Sequence, residues 1–332
     1  MQVTFNIVRQ RSTAPARVES YTIEAEAGQT ILDCLNHIKW ELDGSLAFRK
    51  NCRNTICGSC AMRINGRSAL ACKENVGSEL ARAQANAGDG TAVIAIAPLG
   101  NLPVVKDLIV EMQPFWDNLD AVEPYISTQG RQVPEREFLQ TPAERAQLEQ
   151  MGNCIMCGAC YSECNAREVN PQFAGPHALA KAWRTVADAR DQQTDTRLAQ
   201  YNDTNAVWGC TRCYLCNEVC PMGVAPMEQI SQIKRQLLAR HDDQTSRPIR
   251  HRKRMVELVK SGGWVDERQF GVQVVGNYFR DLRGLLSIMP LGLRLLARGK
   301  FPLRFEPSEG TATVRSLITA VQQANQAENL PG

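Results

Sequence analysis

Twelve of the thirteen cysteines in this 332-residue chain fall into three short groups, and they are its most chemically capable residues. Cys52, Cys57, Cys60 and Cys72 stand at C-x4-C-x2-C-x11-C in "CRNTICGSCAMRINGRSALAC". A [2Fe–2S] cluster needs two thiolates on each iron, and this spacing lets a tight loop supply three and a later strand the fourth. Gly58 and Ser59 suit a loop that must turn sharply and aim backbone N–H groups at sulfur. Cys154, Cys157, Cys160 and Cys164 follow C-x2-C-x2-C-x3-C, and Cys210, Cys213, Cys216 and Cys220 repeat it with Pro221 next. Where two such runs occur, the fourth cysteine of each ligates the other cluster. The spacing therefore assigns one [4Fe–4S] cubane to Cys154, Cys157, Cys160 and Cys220, and a second to Cys164, Cys210, Cys213 and Cys216. The competing reading is a zinc-stabilised interaction protein without a redox role. Zinc knuckles use paired C-x2-C motifs farther apart, and two runs of identical spacing count against them.

The arithmetic leaves only Cys34, which lies among apolar residues of a predicted helix and reads as a packing residue. "MQVTFNIVRQ" alternates like a strand and lacks the pattern of a secretory signal, so a reducing compartment and metal-ligating thiols are expected rather than disulfides. No window holds about 18 consecutive apolar residues, so no membrane span is expected. No G-x-G-x-x-G loop offers a nucleotide site. The chain is expected to carry single electrons and to leave substrate oxidation to another subunit.

The elements that must position these thiols are legible in outline. "MQVTFNIV" and "VESYTIEA" read as paired strands joined by a turn around Ser12–Pro15. "GQTILDCLNHIKWEL" has helical apolar spacing with Thr30 as N-cap. "CAMRING" and "SALAC" form a hairpin turning at Asn65-Gly66, and "TAVIAIAPL" is a further strand. From Lys106 to Gln140, Pro114, Pro124 and Pro134 mark a linker-like stretch. Beyond it Thr141, Pro142 and Glu144 open a helix, and "GPHALAKAWRTVADARD" and "APMEQISQIKRQLLARH" predict two more. The domain division read from this pass is 1–105, a linker 106–140, 141–241 and a basic extension 242–332. From Ser231 onward 17 Lys/Arg face 9 Asp/Glu, whereas the rest of the chain is mildly acidic. Such asymmetry suits docking to an acidic partner or an anionic membrane surface. "RPIRHRKR", Arg247–Arg254, reads as a solvated basic face, and no nucleic-acid motif accompanies it. His37, His177, His241 and His251 show no ligand spacing.

The three cysteine groups, in this order and with the lead-in "TILDCLNHIKWELDGSLAFRKNC", resemble the iron–sulfur subunit of succinate dehydrogenase and fumarate reductase from about Val3 to Leu238. The resemblance implies an α+β chain: an N-terminal β-grasp plant-type [2Fe–2S] ferredoxin domain, an α-helical two-cluster bacterial-type ferredoxin domain and a C-terminal helical extension. It implies a flavoprotein partner with covalent FAD, single electrons passing through [2Fe–2S] and two further clusters towards quinone, and a peripheral place on the cytoplasmic side of a membrane through partner subunits. The same subunit in a fumarate reductase, quinol- or thiol-linked, is the close alternative.

Three departures qualify the resemblance. The usual quinone-linked enzymes lack a cysteine at the position of Cys213 and hold a [3Fe–4S] centre there; here a complete [4Fe–4S] cube is expected, with the three-iron centre as the alternative if Cys213 points away. The residues expected at the usual quinone pocket are replaced by Asn165, Ala166, Arg167 and Thr211. Finally, "GLLSIMPLGLRLLARGKFPLRF" resembles the tail of ferredoxin subunits in heterodisulfide reductases. That favours a cysteine-rich, heterodisulfide-reductase-like partner over a haem-bearing membrane anchor. Leu285, Leu286, Ile288, Met289, Leu291, Leu293, Leu295 and Leu296 would pack on it, with Arg294, Arg298 and Lys300 at the rim. Packing on the chain's own domain, or on a membrane surface, are the alternatives.

Overall fold

Period-two alternation over Gln2–Arg9 builds strand β1, with Val3, Phe5 and Ile7 buried on one face. The computed structural model describes residues 1–12, 14–87, 92–240, 246–301 and 304–328. Two compact units result, Met1–Gln236 and Leu237–Gly332. β1 pairs antiparallel with β2 (Arg17–Glu24); Thr13 in the expected turn lies outside the described residues. β3 (Ala61–Ile64) and β4 (Arg67–Leu70) form the hairpin, with Asn65 at φ 50° and Gly66 at φ 80°. Both central residues are left-handed, as a type I′ turn requires. β5 (Ile94–Ala97) lies between β1, which it joins in parallel, and β3. The sheet order is β2-β1-β5-β3-β4, a mixed sheet of β-grasp topology.

Helix α1 (Ile31–His37) covers this sheet and starts in a reciprocal capping box between Thr30 and Asp33. Its Ile31, Leu32 and Leu35 are wholly buried in the core. Cys34 is there too, and burial pushes its thiol up to about 11, as befits a packing residue. Helix α2 (Val76–Ala87) turns a short stripe of Val76, Leu80 and Ala83 inward, with Val76 and Leu80 on the core. Glu79, buried beside them, pairs with Arg67 of β4 and with Arg82 one turn along α2.

The stretch read as linker-like holds structure. β6 (Val104–Lys106) and β7 (Ile109–Val110) pair, and α3 (Gln113–Asp120) buries Phe115 completely. Buried Arg197 bonds to Asp191 and to the carbonyls of Glu123 and Tyr125, tying down the chain after α3. The helical part of the first unit comprises α4 (Pro142–Gly152), α5 (Ala159–Ser162), α6 (Asn165–Val169), α7 (Pro176–Val186), α8 (Thr194–Tyr201), α9 (Leu215–Glu218) and the start of α10 (Pro226–Arg240). α4 has the expected capping box from Thr141 to Glu144. α7 and α10 each begin on a proline, which has no N–H to lose at the first helical position.

The second unit contains α11 (Arg247–Gly262), α12 (Glu267–Phe270), α13 (Leu282–Ala297) and α14 (Thr311–Glu328). α11 packs against α14, and Phe305 closes on the Cα of Gly262, where a Cβ would stand 2.4 Å from its ring. The run Arg247–Arg254 is not wholly a solvated face: Arg250 is buried and donates to the Val274 carbonyl at 3.0 Å. His241 lies outside the described residues, and His251 meets Phe270 edge-on.

Arg9 closes the end of β1 from inside. Its guanidinium meets Glu19, Asp43 and Asp107, and the Tyr21 hydroxyl donates to both Glu19 and Asp43. The Ser45 hydroxyl, then Arg9 and Tyr21, hold the Asp43 carboxyl well below the usual carboxylate range, against partial burial. Glu19 is lowered as well, chiefly by Tyr21 and then Arg17. Lowered native values mean stabilisation that is full above the unfolded value of about 4 and lost as pH falls through the native one. Asp43→Asn should therefore cost about 2 kcal/mol at neutral pH. The gap from wild type should narrow as the medium is acidified below about pH 4, read by urea unfolding across pH.

Candidate functional site

The first cysteine group sits in a loop between α1 and β3, with Cys72 directly after β4. Arg53 at φ 55°, Thr55 at 57° and Gly58 at 71° coil the loop so that its amides turn inward. The amides of Asn54 and Cys57 both approach Cys52 Sγ at 3.3 Å, and the Ser59 hydroxyl lies 3.0 Å from Cys57 Sγ. Burial opposes ionisation of Cys57, but Ser59 and the neighbouring amides outweigh it and bring the thiol down to about 6. Cys60, buried at the start of β3, is pushed up to about 12. The loop thus offers hydrogen-bond donors to the sulfurs of Cys52 and Cys57.

The two later runs are built as a repeat. In each, the residue before the second cysteine and the one after it are left-handed: Met156 and Gly158 in one run, Arg212 and Tyr214 in the other. Each run then leads into a one-turn helix, α5 or α9, before its fourth cysteine. A Cβ on Gly158 would contact Leu99 and Met112, whereas Tyr214 projects outward and is 43% exposed. Those contacts, at 3.4 and 3.5 Å, are of ordinary van der Waals length, so it is the positive φ that favours glycine in the inner copy, and the outer copy carries a side chain at a modest conformational cost.

Tertiary folding crosses the two runs. Cys154, Cys157, Cys160 and Cys220 line one cavity, about 410 Å³ of empty space with its mouth included. Cys164, Cys210, Cys213 and Cys216 line another of about 310 Å³. Burial pushes the thiols up in both: Cys157 to about 11, Cys160 well beyond the ordinary range, Cys164 to about 11 and Cys216 to about 12. Neighbouring thiols add to this, including Cys216 acting on Cys160, so the two quartets adjoin. Thiols gathered this closely cannot all ionise unless a cationic core neutralises them, and such cores bind only thiolates. That donor set fits an iron–sulfide cage. Among the described residues no three His, Cys, Asp or Glu side chains close around a point as a single metal ion requires. All thirteen cysteines are free.

The three sites are fastened together. Gly58 of the first loop lies against Cys157 of the second, where a Cβ would stand 2.8 Å from Cys157 Cβ. Glu163 accepts from the Ser68 hydroxyl at 2.7 Å and pairs with Arg63, and the Asn101 amide donates to the carbonyls of Tyr161, Ser162 and Cys164.

Sequence reasoning passed over some of the surroundings. His177 lines the first cubane cavity, stacks on Phe115 at 3.8 Å and reaches the Phe115 carbonyl at 2.8 Å through Nε2. Burial brings it down to about 4, so it is neutral and packs rather than titrates near neutral pH. Lys234 donates to the Cys210 carbonyl at 3.1 Å, and the Val224 amide lies 3.3 Å from Cys220 Sγ. The glycine before His177 and the proline after Cys220 were the only local hints of these close approaches.

Comparison with known proteins agrees with this architecture. Residues 4–117 match the family described as a 2Fe-2S iron-sulfur cluster binding domain, and residues 150–224 match the 4Fe-4S dicluster domain. The fumarate reductase iron-sulfur subunit of Escherichia coli O6:H1 is 39% identical over 214 residues, 64% of this chain and 83% of that protein. The mitochondrial succinate dehydrogenase [ubiquinone] iron-sulfur subunit 1 of Oryza sativa subsp. japonica is 36% identical over 238 residues, covering 70% and 81%. In fold, a chain of the Mycobacterium smegmatis Sdh1 complex in the apo form superposes with a TM-score of 0.59 at 22% identity, over 72% of this chain and 96% of that one. Two ferredoxin-type domains with crossed thiol quartets, and relatives matched over most of their length, lead to one conclusion: the chain belongs to the family of fumarate reductase and succinate dehydrogenase iron–sulfur subunits, the electron-transfer component of those oxidoreductases.

Proposed function

We infer that Cys52, Cys57, Cys60 and Cys72 hold the [2Fe–2S] cluster, that Cys154, Cys157, Cys160 and Cys220 hold one [4Fe–4S] cluster, and that Cys164, Cys210, Cys213 and Cys216 hold a second. The observation that carries this reading is the crossing of the two runs, which lines each cavity with sulfurs from both segments. When bound, the clusters supply one-electron centres between a two-electron flavin and a quinone. The protein's own part is to hold the thiolates, donate N–H groups to them and keep water away. Phe115, Ile155, Met222 and Val224 supply apolar walls at the first cubane cavity. At the third site Tyr214 and Cys213 reach the surface, which suits contact with the next carrier.

The division into 1–105, 106–140, 141–241 and 242–332 belongs to the same proposal. So does a flavoprotein partner bearing FAD at the [2Fe–2S] end. Exposed Ile56 in that loop, with Trp40 and Leu42 after α1, supplies apolar surface for it. Asn165, Ala166, Arg167 and Thr211 lack the groups of the usual quinone pocket, and Arg167 is committed to the Phe173 carbonyl at 2.6 Å. Quinone reduction is therefore assigned to a partner, a cysteine-rich heterodisulfide-reductase-like subunit or a membrane anchor. The physiological direction follows from the partners: succinate oxidation by quinone, or fumarate reduction by a quinol or thiol.

Anaerobic purification followed by iron, sulfide and zinc analysis tests the ligand assignment. Iron and sulfide in the ratio of one [2Fe–2S] and two [4Fe–4S] clusters are expected, and a colourless zinc protein would refute it. Assaying the purified complex with succinate plus quinone, against fumarate plus thiol donors, then fixes the direction.

A further inference from the structure

We propose that α13 is an interfacial helix that lays this chain directly on an anionic phospholipid surface. This does not depend on the cluster assignments.

Leu282, Leu286, Met289, Leu293 and Leu296 follow one another at steps of four and three residues along α13, and each is more than half exposed. At about 100° per residue they share one stripe about 80° wide. The neighbouring flank is already used: Leu285 covers Gly276 and Ile288 reaches Gly271, within the same unit. The opposite flank carries Arg283, Arg294 and Arg298. Leu291 is the exposed apolar side chain of α13 that falls off the stripe. Pro290 does not end the helix: α13 runs through to Ala297, and Arg294 Nε reaches the Pro290 carbonyl at 3.2 Å.

Charge selects the occupant. From Leu282 to Phe305 the chain holds five Arg/Lys and no acidic residue. A protein partner could meet these cations only with an acidic rim around its own apolar groove. An apolar stripe flanked only by cations instead matches helices that sink into the headgroup boundary of anionic bilayers. The turn before α13 points the same way. Asn277, Tyr278 and Phe279 are three successive non-glycine residues with positive φ, at 44°, 54° and 69°. Such strain persists where it has a use. Here it leaves Phe279 65% exposed shortly before α13, while the Tyr278 ring packs under Arg254, and exposed aromatic residues favour the membrane–water interface. Among the described residues no helix is long and apolar enough to cross a membrane, so α13 would lie on the bilayer.

The test is flotation of the anaerobically purified full chain with vesicles of phosphatidylcholine alone or with phosphatidylglycerol added. Binding to the anionic vesicles at least about tenfold stronger than to neutral ones, and weakened by salt, is expected. Leu286→Asp with Leu293→Asp should abolish it, and Arg294→Glu with Arg298→Glu should reduce it about tenfold or more. All these positions are exposed, so the variants should keep the wild-type circular dichroism and visible absorption. Equal affinity for neutral and anionic vesicles, or no binding, would overturn the proposal. So would loss by Leu286→Asp with Leu293→Asp of a dimer or of a co-purifying subunit, with vesicle binding unchanged, which would make the stripe a protein interface.

Discussion

Gly58→Val is expected to destabilise the first unit by about 4 kcal/mol and to expel the cluster of the first loop. Two costs combine. The backbone there has φ +71°, a region in which a side chain costs about 1–3 kcal/mol, and more for a β-branched one. The added Cβ would also stand 2.8 Å from Cys157 Cβ and 2.9 Å from Cys157 Cα. Both atoms belong to Cys157 and lie at its backbone, so neither can swing aside as the end of a flexible side chain would, and overpacking of this kind costs about 1–3 kcal/mol more. Gly66→Val is the matched control: it shares a positive φ of +80° but has nothing within 4 Å, so only the conformational cost of about 2 kcal/mol is expected. Urea midpoints and visible absorption of the two variants check the difference. Equal, small losses for both would mean that Gly58 is not pressed against the second loop.

Cys213→Ser should convert the third centre into a three-iron one without unfolding the protein. Cys213 is the exposed member of its quartet, whereas Cys164 and Cys216 are buried. A ligand at the surface holds a corner of the cage that can be given up, while removal of Cys216 should empty the cavity. Loss of one iron per chain and a new paramagnetic signal in the oxidised protein are expected, since an oxidised three-iron centre has an odd electron count and a cube does not. The reduction potential should rise, because a three-iron centre is all ferric when oxidised and takes up an electron more readily than a cube whose irons are already half ferrous. EPR of the oxidised protein and a redox titration measure both. If wild type already shows the three-iron signal and the variant matches it, Cys213 is not a ligand.

The cysteine quartets that line the two cavities were legible in the sequence because cluster chemistry requires thiols at fixed local spacings, and spacing is a one-dimensional property. The same holds for α1 and α4, whose capping boxes need residues only three positions apart, and for the Asn65-Gly66 turn, where both residues must adopt positive φ. α2 was missed because its apolar stripe is only Val76, Leu80 and Ala83, and its buried Glu79 finds Arg67 of β4 only in the folded chain. α3 was hidden in a proline-marked stretch, since only the pocket around Phe115 reveals that the segment is packed.

What tertiary structure alone decided is proximity. No spacing rule says that Gly58 touches Cys157, that His177 walls the first cubane cavity, or that Asn101 binds three carbonyls around Ser162. These contacts depend on how two separately readable domains meet, and the free energy that fixes them is spread over many weak, long-range interactions. The extension shows the converse limit. Its sequence announced an apolar, basic segment, but which leucines are spent inside and which face outward became visible only when α13 was seen as one unbroken helix. Helix phase, unlike composition, is set by what the other side of the helix packs against.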